Sequence, residues 1–200
     1  DANYDMMAKI LREAKVSYIK WDMNRCITEA FSAKLPADRQ GELFHRYILG
    51  VYQLYERLTS EFPHVLFESC ASGGGRFDPG LLYYAPQGWA SDDSDAIERL
   101  KIQYGTSMCY PISSIGAHVS VVPNHQVFRV TPLETRANVA HFGTFGYELD
   151  LNKLTADERE LVREQIQFMK QYREIIQFGT FYRLISPFDN SQFTAWMVVS

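Results

Sequence analysis

The stretch Ser17-Tyr18-Ile19-Lys20-Trp21-Asp22-Met23-Asn24-Arg25 guides the interpretation of the whole chain, because its character changes abruptly along its length. Residues 16–19 are mostly β-branched or aromatic, and they predict a short strand buried on both faces. Charged and polar side chains then arrive where that strand should give way to a loop: Lys20, Asp22, Asn24 and Arg25. In barrels of alternating strands and helices, this end of each strand carries the chemistry. The alternative is a structural ion pair at a strand end.

Composition and charge favour a globular chain with no nucleic-acid or membrane partner. Hydrophobic residues make up 46% of the 200 residues, which is enough to bury a sizeable core. A formal net charge of −4 does not suit nucleic acid or an anionic membrane surface. No apolar run reaches the roughly 18 residues that a membrane-spanning helix requires.

The three cysteines, Cys26, Cys70 and Cys109, are odd in number and lack metal-ligand spacing. They indicate free thiols in a reducing compartment, so we expect a cytoplasmic protein. The chain begins in a predicted helix and stops within an apolar run at Ser200. We therefore expect it to be a fragment of a longer protein.

Short strands alternate with helices over most of the chain. Further strands are predicted at 65–67, 88–91, 112–115 and within 143–151, and helices at 4–14, 41–62, 96–108, 131–142 and 155–178. Thr131 and Thr155 are the expected caps of the last two helices, because a glutamate follows each by three residues. This alternation predicts an α/β fold with parallel strands. Polar clusters after at least three strands favour the C-terminal half of a (β/α)8 TIM barrel over an open sheet.

The texture changes beyond Gly179, where strand-like alternation begins. We therefore expect a partial catalytic barrel domain at 1–179 and the beginning of a C-terminal β-sandwich domain at 180–200.

Carboxylates after two of the strands suit glycoside cleavage with retention of configuration. That reaction needs two carboxyl groups about 5–5.5 Å apart, one nucleophile and one proton donor. Asp22 is the first candidate, and Asp92, Asp93 and Asp95 compete for the second role. Acids that open a helix can simply cap it, and Asp95, three residues before Glu98, fits a cap best. Asp92 follows the strand end and Trp89 most closely, and it is the better catalytic candidate.

The run Ser72-Gly73-Gly74-Gly75 follows another strand end and matches neither the dinucleotide fingerprint nor the phosphate loop. Its amides and Cys70 can hydrogen-bond a neutral polar ligand, although a turn that needs glycine explains the run equally well. A Cys70 nucleophile with His118 or His125 as base is disfavoured, because the nearby Glu68 would raise the pKa of the thiol. A metal site from these histidines and His141 lacks close ligand spacing.

Several motifs in consistent order resemble bacterial α-galactosidases (melibiases) of glycoside hydrolase family 36. They span about residues 1–180 and comprise residues 20–25, 68–70 with the glycine run, 76–80, 89–92, 99–106, 116–120 and 123–126. The resemblance implies Asp22 as nucleophile and Asp92 as acid/base. It also implies galactose-binding roles for Lys20, Asn24, Cys70, the amide of Gly73, and Trp89. In that family the barrel lies between a β-sandwich domain and a smaller β domain.

The resemblance predicts a retaining exo-glycosidase that removes terminal α-D-galactosyl residues from oligosaccharides such as raffinose and melibiose. The partner expected is the oligosaccharide substrate, with no cofactor and no metal, and the full-length parent is expected to form a homo-oligomer. Alternatives are a related α-N-acetylgalactosaminidase, a galactosyl-transferring enzyme, and a sugar-binding module without turnover. The paired acids distinguish these, because a binding module needs no pair at the retaining separation.

Overall fold

The computed structural model describes residues 2–24, 27–189 and 192–200. Arg25 of the opening motif and Cys26, an expected free thiol, lie outside the described residues. The chain divides into two compact units, Asp1–Pro86 and Gln87–Ser200.

The first unit is a parallel pair of strands with helices around it. In chain order its elements are α1 (Ala2–Glu13), β1 (Tyr18–Asp22), a 3-10 helix (Ala37–Glu42), α2 (Leu43–Glu61), β2 (Leu66–Cys70) and α3 (Pro79–Tyr84). The strands pair in a register that sets Lys20 opposite Glu68 and Asp22 opposite Cys70. Parallel strands need a crossover connection, and α2 provides it. The carboxyl ends of β1 and β2 therefore lie side by side.

Tyr55 of α2 centres the apolar core of this unit. Its side chain is fully buried, and its ring centroid lies 4.6 Å from that of Trp21 on β1 and 5.7 Å from that of Phe67 on β2. Val51 and Leu58 bury the same face of the helix, as the three- and four-residue apolar spacing predicts. This packing fixes both strands against α2.

The second unit repeats the alternation and ends in a hairpin. Its elements are β3 (Gln87–Gly88), α4 (Ala96–Thr106), a 3-10 helix (Ile112–Ser114), β4 (Gly116–Ser120), α5 (Leu133–Ala140), β5 (Thr144–Glu148), a 3-10 helix (Leu151–Lys153), α6 (Ala156–Phe178), β6 (Thr180–Ile185) and β7 (Ala195–Val199). β4 and β5 are parallel, Gly88 forms a parallel bridge with Ile115, and β6 and β7 are antiparallel. Parallel pairing of the alternating elements and a strand pair after Gly179 were both predicted.

Small and branched residues of β4 form the core of the second unit. Ala117 and Val119 are fully buried and cluster with Leu133 and Ala137 of α5 and with Val162 of α6. Thr155 and Glu158 form the predicted reciprocal capping box at the start of α6.

Several boundaries differ from those predicted. β1 begins later and continues through Asp22, because backbone pairing with β2 extends beyond the apolar run. Residues 112–114 form a 3-10 helix, and the strand lies at the polar-looking segment that follows. Thr131 does not cap α5, since the extended Pro132 occupies the N-cap and no side chain caps the helix. α3 lies in a segment predicted to be a loop.

No helix among the described residues is long and apolar enough to cross a lipid bilayer.

Candidate active site

Asp22 is the last residue of β1, and Asn24 holds its carboxylate. The Asn24 amide Nδ2 donates to Asp22 Oδ2 at 2.8 Å, while Asn24 Oδ1 accepts from the backbone N–H of Ser72 at 2.8 Å. Asn24 thus ties the end of β1 to the turn after β2. This arrangement fixes the position of a carboxylate at the rim of the unit.

Lys20 and Glu68 form an ion pair across β1 and β2, two residues before Asp22 and Cys70. Lys20 Nζ lies 3.4 Å from Glu68 Oε1, and the Glu68 side chain is only 3% exposed. Tyr18 donates its hydroxyl hydrogen to the other carboxylate oxygen. A buried carboxylate needs such partners, because leaving it uncompensated would destabilise the fold. The alternative of a structural ion pair at this strand end is therefore realised by Lys20 and Glu68.

The Cys70 side chain is a buried thiol beside the Asp22 carboxylate. Burial, together with a hydrogen bond to Asp22 and its negative charge, raises the pKa of Cys70 to about 11, although a hydrogen bond with the Gly73 backbone opposes the rise. The thiolate is the nucleophilic form of cysteine, and it is scarce at neutral pH when the pKa is high. Cys70 is therefore suited to donating a hydrogen bond and unsuited to nucleophilic attack.

The turn after β2 requires glycine for two separate reasons. Gly73 has a φ of 75°, which side-chain-bearing residues rarely adopt. A Cβ atom on Gly75 would lie 2.6 Å from the carbonyl oxygen of Ala71. The turn is closed by a hydrogen bond from the Ala71 N–H to the Gly73 carbonyl at 3.0 Å. These contacts place the turn directly beside Cys70 and Asn24.

In the second unit, two of the three clustered acids have structural partners. Asp95 caps α4 by accepting from the backbone N–H groups of Ile97 and Glu98, both at 3.1 Å, and it also pairs with Arg129. Asp93 Oδ1 accepts from the Asp95 N–H at 3.0 Å. The predicted cap role of Asp95 is confirmed.

Asp92 is the third acid of the cluster, and its side chain is exposed. It makes no hydrogen bond or ion pair with any other residue that the structure describes. Of the three carboxyl groups, that of Asp92 is the one that no other described group holds.

Trp89, three residues before Asp92, packs against the side chains of His118 and Arg99. Its ring centroid is 4.5 Å from that of His118 with the planes 20° apart, and the Arg99 guanidinium lies 4.5 Å from its ring centroid. His118 Nδ1 lies 3.2 Å from Glu148 Oε2. Sequence reasoning missed Arg99 and Glu148, as it missed Glu68 as the partner of Lys20. The two-residue period of paired strands could have indicated Glu68.

The remaining candidates do not form a metal site. His118 is occupied by Trp89 and Glu148, His125 is exposed, and His141 is buried between Phe145 and Phe168. No group of three or more metal-ligating side chains occurs in residues 2–24, 27–189 and 192–200.

The predicted site residues thus fall into two groups. Lys20, Asp22, Asn24, Cys70 and Gly73 come together at the carboxyl ends of β1 and β2 in the first unit. Trp89 and Asp92 lie three residues apart after β3 in the second unit.

Comparison with known sequences shows which family the chain resembles. A family model described as Melibiase matches residues 1–179. The α-galactosidase AgaA of Geobacillus stearothermophilus is 58% identical over 98% of this chain, and α-galactosidase Mel36A of Lactobacillus acidophilus is 53% identical over 100% of it. The chain spans 27% of the length of each of these relatives.

Solved structures agree with this comparison. A crystal structure of a variant of the glycoside hydrolase family 36 α-galactosidase AgaA from Geobacillus stearothermophilus, in complex with raffinose, matches with a TM-score of 0.95 at 57% identity. The match covers 98% of this chain and 27% of that one. The galactosidase domain of the α-galactosidase–sucrose kinase AgaSK matches with a TM-score of 0.91 at 49% identity, covering 98% of this chain and 26% of that domain's chain.

Proposed function

This chain belongs to the Melibiase family, and on that premise we propose that the whole protein is a retaining α-galactosidase acting on oligosaccharides such as raffinose and melibiose. The observation that carries the proposal is the Asp22 carboxylate, held at the carboxyl end of β1 by the Asn24 amide at 2.8 Å. A fixed carboxylate at a strand end is what nucleophilic attack on a sugar requires.

The reaction is a double displacement. Asp22 attacks the anomeric carbon of the galactosyl group, while Asp92 donates its proton to the departing glycosidic oxygen. Asp92, now a carboxylate, then removes a proton from water, which attacks the anomeric carbon and releases Asp22. The exposure of Asp92 supports this role, because a group that exchanges protons with water cannot be enclosed by structural partners.

The galactosyl group is bound by the polar side chains around Asp22. The Lys20 ammonium and the Asn24 amide offer donors on the β1 side. On the β2 side, the Cys70 thiol hydrogen-bonds to Asp22 and the Gly73 N–H to Cys70, and a bound sugar would share these donors. Trp89 belongs to the same site through the segment that it shares with Asp92, and its ring is buried against His118 and Arg99. The raised pKa of Cys70 supports its role as a donor.

Two substitutions made in AgaA support the assignment of the two acids. AgaA was solved with stachyose after replacement of one aspartate and with raffinose after replacement of another. Those two aspartates are separated by the same number of residues as Asp22 and Asp92. Replacing a catalytic acid is a common way to preserve a substrate in a crystal, so the equal spacing favours the assignment.

The same proposal extends to architecture and location. Residues 1–179 form the latter half of a (β/α)8 barrel, and residues 180–200 begin a C-terminal β domain, with the antiparallel β6–β7 pair as its first strands. The whole protein acts in the cytoplasm as a homo-oligomer and without a cofactor.

The stereochemistry of the product tests the mechanism. Proton NMR during hydrolysis of p-nitrophenyl α-galactoside by the full-length protein should show α-galactose first, because two inversions restore the original configuration. Asp22→Ala should lose turnover of natural and activated substrates alike, and added azide should then give the β-galactosyl azide. Initial release of β-galactose, or an Asp22→Ala variant with full activity, would overturn the proposal.

A further inference from the structure

Arg99 is an unusual residue in this fold, because its charge is buried and no carboxylate of the described residues lies close enough to form an ion pair with it, although the charges of Asp93 and Glu148 act on it. Its exposure is 2%. Burial lowers the pKa of Arg99 to about 10. The negative charges of Asp93 and Glu148 oppose this lowering. Burying a cation is costly even so, and its guanidinium group needs hydrogen-bond acceptors.

The acceptors of Arg99 lie in the loop after β3, on β4 and on its own helix α4. Nη1 donates to the carbonyl oxygen of Ser91 at 3.2 Å, Nη2 to that of Gly116 on β4 at 2.6 Å, and Nε to Oε1 of Gln103 on α4 at 3.2 Å. The guanidinium carbon also lies 4.5 Å from the Trp89 ring centroid. One side chain thus links α4 and β4 to both ends of the segment 89–91.

That segment leads directly into Asp92. The Ser91 carbonyl belongs to the peptide that joins Ser91 to Asp92, so fixing this carbonyl fixes the direction in which the chain enters Asp92. Beyond Asp92, the chain is held again where the Ser120 hydroxyl donates to the Ser94 carbonyl at 2.7 Å. The backbone is therefore anchored on both sides of an exposed carboxyl group that has no partner among the described residues.

We propose that Arg99 is a positioning residue for the acid/base Asp92, acting through the Ser91 carbonyl and the Trp89 ring. This inference rests on the proposed function. A lysine could keep the charge, but a single ammonium group cannot reproduce the planar fork that binds two carbonyls and stacks on an indole.

Leaving-group dependence tests the proposal in the full-length protein. Arg99→Lys should lower kcat/KM for raffinose roughly tenfold more than kcat/KM for p-nitrophenyl α-galactoside, whose leaving group needs little protonation. The ratio of the two values is independent of the folded fraction, because both are measured on one sample. A loss of fold alone would lower both values equally and would overturn the positioning role.

Arg136→Lys is the matched control. Arg136 is also a buried arginine, on α5, and donates to the carbonyls of Ser120 at 2.6 Å and Thr131 at 3.0 Å. Its substitution should lower the melting temperature and change the ratio far less than Arg99→Lys does, because Arg136 holds the Ser120 carbonyl and not the hydroxyl that binds Ser94. An equal change of the ratio in both variants would show that the effect is not particular to Arg99.

Two further variants keep the result interpretable. If Arg99→Lys does not fold, Gln103→Leu can be used, because it removes the Gln103 oxygen that accepts from Arg99 Nε. It should shift the ratio in the same direction by a smaller factor, and an unchanged ratio would overturn the proposal.

Asp92→Ala separates this inference from the proposed function. If Asp92→Ala shows the leaving-group dependence and Arg99→Lys does not, the role of Arg99 is wrong. If Asp92→Ala slows both substrates equally, the assignment of the acid itself is wrong.

Discussion

Asp22 and Cys70 are register partners at the carboxyl ends of two parallel strands, and the carboxylate of the one helps to raise the pKa of the thiol of the other. A thiol kept protonated beside a carboxylate is a hydrogen-bond donor. Cys70 is therefore a hydrogen-bonding neighbour of the proposed nucleophile Asp22. This role of Cys70 can be tested separately from the reaction.

Cys70→Ser should keep measurable turnover with a changed KM, because a hydroxyl group can donate in place of the thiol. In the unmodified protein, iodoacetamide should label the exposed Cys109 and leave Cys70 unlabelled until denaturation, as peptide mass spectrometry would show. Complete loss of turnover in Cys70→Ser, together with a substrate adduct on the Cys70 sulfur, would contradict the donor role.

The acids after Trp89 should separate by function. Asp92→Ala should slow raffinose far more than p-nitrophenyl α-galactoside, and azide should rescue it to give α-galactosyl azide, since azide needs no general base. Asp95→Ala should instead lower the free energy of unfolding by about 0.5–2 kcal/mol from the lost cap, with a further loss because Arg129 keeps only Glu98 as its acidic partner.

Steady-state kinetics and urea denaturation of the two variants provide the measurement. Leaving-group dependence and azide rescue in Asp95→Ala, but not in Asp92→Ala, would require the two roles to be exchanged.

His141 should make the stability of the protein sensitive to acid. Burial lowers the pKa of His141, so the unfolded chain takes up a proton near pH 6.5 while the folded chain resists it. The contribution of neutral His141 to the free energy of unfolding is therefore full above about pH 6.5 and is lost as the pH falls below that value. His141→Phe should remove this loss, because phenylalanine fits between Phe145 and Phe168 and cannot be protonated.

The measurement is the melting temperature of the full-length protein between about pH 7.5 and about pH 5.5, roughly one unit either side of the ordinary histidine pKa. His125→Phe is the control, since His125 is exposed and should leave the pH dependence unchanged. A parallel pH dependence in His141→Phe and the unmodified protein would refute the assignment.

The capping box at the start of α6 should contribute measurably to stability. Thr155 Oγ1 accepts from the Glu158 N–H at 3.2 Å, and Glu158 Oε2 accepts from the Thr155 N–H at 2.8 Å. Thr155→Ala should therefore lower the free energy of unfolding by about 0.5–2 kcal/mol in urea denaturation. Thr59→Ala is the comparison, because the Thr59 hydroxyl only donates to a carbonyl within α2, and its loss should cost little. Equal effects would show that the cap contributes nothing particular.

The sequence predicted correctly those features of the fold that depend on residues only a few positions apart. The Thr155 box, the Asp95 cap and the apolar face of α2 are all set by spacings of two to four positions. The cap Asp78 with Pro79 after it is a similar local signal, and it could have revealed α3.

The predictions that were wrong depend on partners distant in sequence. β4 contains Gly116 and His118, which read as loop residues, and it is a strand because it pairs with β5 and buries Ala117. Thr131 looked like a cap, but the backbone becomes helical only after Pro132. Arg99 could not be found from the sequence, because its acceptors on the segment 89–91 and β4 are brought to it only by folding.

The left-handed turn after β2 limits which sequences can be reached by mutation at this site. Ser72 has a φ of 48°, and the residue after it is also left-handed. Among side-chain-bearing residues, asparagine and aspartate tolerate this conformation best, and β-branched residues tolerate it worst. A saturation library at position 72, selected for growth on melibiose, should therefore be enriched in glycine, asparagine, aspartate and serine and depleted of valine, isoleucine and threonine. The backbone geometry of Ser72 and Gly73 therefore limits which amino acids directed evolution can introduce beside the proposed nucleophile.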